Sequence, residues 1–221
     1  MFRQFLLLTA GALVPAAVSA QNVELAGRLE GDTYVSATGE FKVPLPVLRE
    51  LGGTITDTEN VVTFTDSYNT HISIACFPQD ALQRWEFETR GRRDYLLYFF
   101  TDFVLADFAR RFPGSTIESA RFIPELMEGA LVTYALLPGG SYFEPKDSAL
   151  GPPANKVTAK RGTLLFVRNG HVFVLSTELA ERATQRSTYQ ATPEKENAQL
   201  TGRLTELVGR LVFPGPKPHN P

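Results

Sequence analysis

The 221-residue chain has a single cysteine, Cys76, and three histidines, His71, His171 and His219. One cysteine excludes an internal disulfide, so packing alone has to stabilise the fold. The histidines are far apart in sequence and form no zinc-binding pattern such as His-Glu-x-x-His. The sequence therefore predicts neither a disulfide-stabilised fold nor a transition-metal site.

Phosphate-binding glycine patterns and a basic surface are also missing. The pairs Gly52-Gly53 and Gly139-Gly140 have no following lysine and no Gly-x-Gly-x-x-Gly arrangement, so we interpret them as turns. The 22 Lys and Arg residues nearly balance the 24 Asp and Glu residues, giving a formal net charge of −2. Such a balance does not indicate the basic surface by which proteins bind nucleic acid. We predict no cofactor, no metal and no nucleic-acid partner.

Residues 1–20 have the pattern of a cleavable signal peptide. Arg3 precedes an apolar run, Phe5 to Val14, that is too short to cross ~30 Å of hydrocarbon as a helix. Small residues end the segment at Val18-Ser19-Ala20, and no cysteine follows to carry a lipid anchor. We therefore expect cleavage near Ala20 and a mature chain without a membrane span, periplasmic or secreted.

Short apolar stretches with alternating polarity predict strands along the chain. They are Glu40–Pro46, Asn60–Thr65, His71–Phe77, Thr116–Ile123, Ala130–Leu137, Lys160–Arg168 and His171–Thr177. The last two are separated by Asn169-Gly170, which is the strongest short hairpin signal in the chain. The sequence thus predicts about six to seven strands, joined at least partly by hairpins.

Two segments have helical periodicity. From Arg93 to Phe112 no glycine or proline intervenes, and apolar residues recur at three- and four-residue steps until Pro113-Gly114. Near the end, Thr192 caps a helix that starts at Pro193. Its predicted buried stripe is Leu200, Leu204, Leu207, Val208 and Leu211.

The order strands, helix, strands, helix differs from the regular alternation of parallel α/β folds. It predicts an α+β domain, with an antiparallel sheet and with a central and a C-terminal helix packed on it. No linker divides the chain, so we predict one domain over residues 21–213. The proline-rich residues 214–221 predict a disordered tail.

Several of these segments together resemble the PsbP-type superfamily. They are TGEFKVPLP, the hairpin and central helix, RGTLLFVRNGHVFVLST and the closing LVGRLVF. That superfamily includes photosystem II extrinsic proteins, a Ran-binding factor and bacterial effector chaperones. The resemblance covers roughly residues 32–213. It implies an α/β/α sandwich that serves as an accessory or binding module. The loop 139–155 and the charged segment Glu178–Glu196 depart from the superfamily, so the resemblance supports no specific partner.

Two neighbouring segments are candidates for a ligand or partner surface. The helix 93–112 is apolar over more of its circumference than one packed face requires, which indicates burial on two sides or a pocket. The stretch before it carries the only tryptophan among charged residues, and it predicts either an interface or a charge-paired loop. The candidate residues are Trp85, Arg90, Arg92, Arg93, Tyr95, Tyr98, Phe99 and Phe103.

Candidate catalytic residues are few. His71 lies near Asp66, with Ser73 on the same strand face, so a hydrolase triad is conceivable, but Ser73 is not on a strained turn. A strand histidine with ordinary hydrogen bonds is the favoured interpretation. Asp57, Glu59 and Asp66 lack calcium-loop spacing. Cys76 alternates with Ile72 and Ile74, which predicts an inert core thiol. We assign no catalytic residue.

Three hypotheses follow. The first is an exported, non-catalytic accessory or partner-binding module with an unidentified protein partner. The second is a carrier or sensor of an apolar ligand or lipid, bound beside helix 93–112. The third is a hydrolase that uses His71. A closed cavity near residues 95–108 favours the carrier, and an exposed aromatic patch there favours the module.

Overall fold

The computed structural model describes residues 25–68, 70–138, 158–184 and 188–215. The predicted signal peptide, the loop 139–155 and residues 216–221 of the predicted tail lie outside these ranges. Within them the chain forms an α+β domain in which helices pack on both faces of a large antiparallel sheet. This confirms the predicted fold class.

In the described ranges, ten strands form two antiparallel sheets. The small sheet, in the order β1-β2-β3, contains β1 (Arg28–Glu30), β2 (Thr33–Val35) and β3 (Lys42–Pro44). The main sheet has the order β4-β5-β6-β10-β9-β8-β7. Its strands are β4 (Thr54–Asp57), β5 (Val61–Thr65), β6 (His71–Pro78), β7 (Thr116–Ile123), β8 (Ala130–Pro138), β9 (Thr158–Arg168) and β10 (His171–Glu178). Its seven strands agree with the predicted six to seven, while the predicted strand at residues 40–46 belongs to the small sheet.

The hairpin between β9 and β10 forms as predicted. Asn169 and Gly170 both have left-handed backbone angles, with φ of 49° and 71°. A two-residue turn of this kind matches the twist of the flanking strands and fixes their register. His171 therefore pairs with Arg168, and the pairing continues to Glu178 and Arg161.

One face of the main sheet carries a helical layer. It consists of α1 (Ala81–Arg90), α2 (Arg92–Phe99), a π-helical segment (Phe100–Leu105) and α3 (Ala106–Arg111). The predicted helix 93–112 is confirmed, with a wider π-helical turn in its middle. Aromatic residues of α2 pack on Leu131, Leu165 and Val172 of the sheet, and this contact forms the second core of the domain.

The interpretation of the Trp85 stretch as a loop was wrong, because these residues form α1. The Asp80 carboxylate caps the helix and accepts a hydrogen bond from the main-chain N–H of Gln83 at 2.7 Å. Gly91 then ends it with a φ of 75°, a backbone conformation that favours glycine. Both signals, the Asp80 cap and Gly91, lie at the ends of the helix. None of the residues of the helix is buried.

The opposite face carries the small sheet and α5 (Pro193–Arg210), while the short α4 (Ala180–Thr184) follows β10. The predicted cap is confirmed, since the Thr192 hydroxyl accepts a hydrogen bond from the N–H of Lys195 at 3.4 Å. Every residue of the predicted stripe is buried. A Cβ atom at Gly162 would lie 3.0 Å from Leu200 Cβ, so this glycine permits the close approach of α5 to β9.

None of the helices in the described ranges is long and apolar enough to cross a membrane.

Candidate functional site

A cavity of about 620 Å³ lies between the main sheet and the layer of α2, the π-helical segment and α3. Its floor comes from β5, β6 and β10, with Arg161 of β9. Its roof is formed by Phe99, Phe103, Val104 and Phe108. Small-molecule sites in proteins have volumes of roughly 300–1,000 Å³, so the cavity has the size of a ligand site.

The floor changes from polar to apolar along the strands. Alternate side chains of β6 face the cavity, in the order His71, Ser73, Ala75 and Phe77. On antiparallel β10, Ser176 pairs with Ser73 and Val174 pairs with Ala75. Two residues of strand advance about 7 Å, so the polarity reverses within that distance. Polar residues of both strands thus meet at one end of the cavity.

Strand β5 extends the same gradient. Thr63 pairs with Ser73, and Val61 pairs with Ala75. We call Thr63, Ser73 and Ser176 the hydroxyl row, and we call Val61, Ala75 and Val174 the apolar row. All six line the cavity. A molecule on this floor would meet hydrogen-bonding groups at one end and hydrocarbon at the other.

The π-helical segment places the aromatic roof. The ring centroids of Phe99 and Phe103 are 4.9 Å apart, and the Tyr98 ring meets that of Phe103 edge-on at 6.0 Å. Phe103 is 46% exposed, so it covers the cavity while one side of its ring faces solvent. Single π-helical turns inside α-helices occur frequently at functional sites.

A buried ion pair closes the polar end of the floor. The Nε of Arg161 donates to Oε1 of Glu178 at 3.2 Å, and a terminal nitrogen donates to the same oxygen. The side chains are 5% and 1% exposed. The guanidinium also lies 5.0 Å from the ring centroid of Phe108. The positive charge at this end is therefore already engaged by a carboxylate and an aromatic face.

His71 occupies the polar end of β6 and is 2% exposed. Burial, with a smaller contribution from the positive charge of Arg161, lowers its pKa to about 3. The imidazole is therefore neutral at neutral pH, with one nitrogen that donates and one that accepts hydrogen bonds. It contributes to the cavity as an uncharged polar group.

The low pKa of His71 predicts a pH-dependent stability. An exposed histidine of the unfolded chain takes up a proton near pH ~6.5, whereas folded His71 does so only near pH 3. Its contribution is fully present above ~6.5, and it falls by about 1.4 kcal/mol per pH unit as the pH drops toward 3. Urea denaturation between pH ~6.5 and ~5 should show this slope in the wild type, and His71→Gln should reduce it by that amount.

The same substitution at His171 is the control, because that histidine belongs to the β9–β10 hairpin and not to the cavity. His171→Gln should retain the part of the slope that His71 contributes. An unchanged slope in His71→Gln would show that the imidazole is not held neutral.

The structure separates the candidate surface residues. Trp85 and Phe103 are 57% and 46% exposed, and Arg90 and Arg93 are exposed as well. Beside Trp85, the exposed Leu82 is a further apolar side chain that the sequence analysis did not single out.

The other four candidates contribute to packing. Tyr95 is fully buried in the second core, and Phe99 is buried while it also reaches the cavity. Tyr98 packs against Arg90, whose guanidinium lies 4.6 Å from the ring centroid. Arg92 donates a hydrogen bond to the carbonyl of Val167 at 3.0 Å, which ties α2 to β9.

The residues of the conceivable triad have separate roles. His71 and Ser73 both line the cavity, as the strand alternation predicted. The Asp66 carboxylate accepts hydrogen bonds from the main-chain N–H groups of Tyr68 and Thr70, each at 2.9 Å. It thereby stabilises the turn between β5 and β6.

Cys76 is buried in the core on the opposite face, as predicted, and burial raises the pKa of its thiol to about 12. A thiol in that state is unreactive at neutral pH. Among the residues that the structure describes, no cluster of three or more His, Cys, Asp and Glu side chains could hold a metal ion.

No protein-family model matches this chain, and no curated protein sequence matches it. Solved structures with similar folds include cyanobacterial PsbP (CyanoP) from Synechocystis sp. PCC 6803, at 10% identity and a TM-score of 0.47. That match covers 89% of this chain and 98% of the other. The Ran-binding protein Mog1p of Saccharomyces cerevisiae matches at 11% identity and a TM-score of 0.43, over 86% of this chain and 96% of its own.

A PsbP protein and a Ran-binding protein are the kinds of protein that the sequence analysis named in its resemblance. At such low identities and TM-scores, the likeness says nothing about a ligand, partner or activity of this chain.

Proposed function

We propose that this chain is a non-catalytic binding module that holds a small amphipathic molecule in the cavity under α2 and α3. The observation that carries the proposal is the polarity gradient of the cavity floor, from the hydroxyl row to the apolar row. This is the second hypothesis of the sequence analysis, the carrier or sensor. It is favoured because a cavity lies beside the aromatic helix.

The lining of the cavity supports a binding role. Ligand sites are predominantly apolar and aromatic, with a few polar groups that orient the bound molecule. Here the aromatic side chains are Phe77, Phe99, Phe103 and Phe108, and the polar groups gather at one end of the floor. A ligand would be oriented by that end and would gain most of its affinity from the apolar remainder.

A catalytic role is less well supported than binding. A general base works best when its pKa is close to the working pH. The pKa of His71, near 3, makes the imidazole a weak base. Ser73 lies in a regular strand, and nucleophilic serines of hydrolases usually occupy a strained turn.

We propose in addition that the protein acts outside the cytosol. The charge, apolar run and small residues at positions 1–20 support export, with cleavage near Ala20. Outside the cytosol, a module of this kind would carry or sense its ligand without a nucleotide or redox cofactor.

Filling the cavity tests the proposal. Ala75 is 7% exposed and belongs to the apolar row, so Ala75→Leu would place three further carbon atoms in the cavity. We expect the wild-type protein to bind the uncharged dye N-phenyl-1-naphthylamine, with a rise in fluorescence. The variant should bind it at least about tenfold more weakly, a loss of about 1.4 kcal/mol.

The control is the same substitution at Ala120, an exposed position of β7 outside the cavity. Ala120→Leu should bind the dye as the wild type does. Wild-type protein that binds no dye, or equal binding by both variants, would contradict the proposed function. Denaturation curves of each variant would show that it is folded.

A second candidate, the partner-binding module, has its own observation. Leu82, Trp85 and Phe103 are 63%, 57% and 46% exposed, and exposed tryptophan is enriched in interface hot spots. Capture of a protein partner from envelope extracts, unchanged by Ala75→Leu and abolished by Trp85→Ser, would favour this candidate.

A further inference from the structure

The hydroxyl row continues beyond the cavity across most of the main sheet. Cross-strand pairing places six hydroxyl side chains in one line, Thr56, Thr63, Ser73, Ser176, Thr163 and Thr133. Three of the six line the cavity, and they offer neutral groups that both donate and accept hydrogen bonds. The hydroxyl row therefore recognises hydrogen-bonding groups without a formal charge of its own.

The charge at this end is already compensated. Two nitrogens of Arg161 donate to one carboxylate oxygen of Glu178, and both side chains are buried. A second carboxylate would have to displace Glu178 or share the guanidinium with it, so two negative charges would lie close together in a buried site. Such an arrangement is costly.

The cavity is also lined by charged side chains of α3 and by Asp80 before α1, and these have partners of their own. Asp107 forms ion pairs with Arg110 at 2.7 Å and with Arg111 at 2.8 Å. Asp80 is used as the cap of α1, where it accepts the N–H of Gln83. These ion pairs are exposed and therefore weak, so the exclusion of an ionic head group rests on the buried ion pair at the floor.

From this distribution we infer that the ligand is an uncharged amphiphile, with a hydroxyl or carbonyl head group on the hydroxyl row and a hydrocarbon part against Phe77, Phe99 and Phe103. The inference rests on the proposed function and adds the chemical class of the ligand. Long-chain alcohols and glycerol esters belong to this class, and free fatty acids do not.

Two probes of equal chain length test the class. 1-Decanol and decanoate should be compared by displacement of N-phenyl-1-naphthylamine from the full chain at neutral pH, where the acid is ionised. We expect 1-decanol to displace the dye at a concentration at least about tenfold lower than decanoate does. Decanoate of equal or higher affinity would overturn the inference and leave the cavity function intact. Absence of dye binding would instead contradict the proposed function itself.

Variants of the hydroxyl row locate the head group. The double variant Ser73→Ala, Ser176→Ala should weaken 1-decanol binding by about fivefold or more, since neutral hydrogen bonds are lost. Binding of the dye itself should change little. Thr56→Ala is the matched control, because Thr56 belongs to the same line of hydroxyls but is exposed and does not line the cavity. Equal 1-decanol binding by the double variant and this control would overturn the assignment of the head-group site.

Discussion

Replacing Glu196 with glutamine is expected to lower the free energy of unfolding by about 3–5 kcal/mol. The carboxylate is 4% exposed and accepts hydrogen bonds from Lys160 at 3.0 Å and from Arg182 at 3.0 and 3.1 Å. The Tyr189 hydroxyl donates to it at 2.9 Å. Glutamine keeps the size of the side chain but removes the charge that offsets Lys160, which is fully buried.

The effect depends on the other contact of Lys160. Its ammonium group also forms an ion pair with Glu118, whose side chain is 24% exposed. This second carboxylate keeps part of the compensation, so we expect a loss toward the lower end of the range. Urea denaturation of the wild type and of Glu196→Gln, analysed with equal slopes, measures the difference.

Glu206→Gln is the control on the same helix. Glu206 is 63% exposed and pairs with Arg210, and exposed pairs contribute less than about 1 kcal/mol. Lys160→Met combined with Glu196→Gln should cost less than the sum of the two single changes, because the pair is removed together. A loss below 1 kcal/mol in Glu196→Gln would mean that the network does not anchor the start of α5.

Local signals account for the parts of the fold that the sequence predicted. The Asn169-Gly170 turn fixes β9 against β10, and Thr192 with Pro193 fixes the first turn of α5. Each signal acts within a few residues and does not depend on the rest of the chain. The predicted sheet and its two helices follow from such signals and from apolar periodicity.

Helix α1 was not predicted because it is not stabilised by an apolar face that packs on the sheet. No residue of α1 is buried, and its large apolar residues Leu82, Trp85 and Phe87 do not all recur at the three- and four-residue steps of a helical stripe. Good helix formers such as Ala81 and Leu82 and the Asp80 cap stabilise it. The π-helical turn at residues 100–105 has no periodic signal either, since the same apolar residues fit an α-helix.

The side chains of the cavity floor could not be predicted from any single segment of the sequence. Strand β6 carries its polar residues in its first half, and β10 carries them in its second half. Only antiparallel pairing in the observed register brings Ser73 opposite Ser176. The sequence therefore indicated that a pocket could lie beside the aromatic helix, but not which side chains form its floor.

Replacing Glu178 with glutamine is the second change with a large expected effect, a loss of about 3–5 kcal/mol in the free energy of unfolding. The Arg161 guanidinium would stay buried between Phe108, at 5.0 Å, and Phe112, at 5.7 Å, without the carboxylate that compensates it. Urea denaturation measures the loss. Glu128→Gln is the control, because Glu128 also pairs with an arginine but is 79% exposed, so its loss should stay below about 1 kcal/mol.

The same variant tests whether the ion pair of Arg161 and Glu178 only stabilises the fold or also excludes anionic ligands. With the Glu178 charge removed, Arg161 would lose this carboxylate partner at the polar end of the cavity floor. Decanoate binding should then strengthen by about tenfold relative to 1-decanol, and bound decanoate should restore part of the lost stability. The double variant Arg161→Leu, Glu178→Gln should recover stability without gaining decanoate affinity. A folded Glu178→Gln protein that still prefers 1-decanol to the same extent would show that the ion pair stabilises the fold but does not exclude anions.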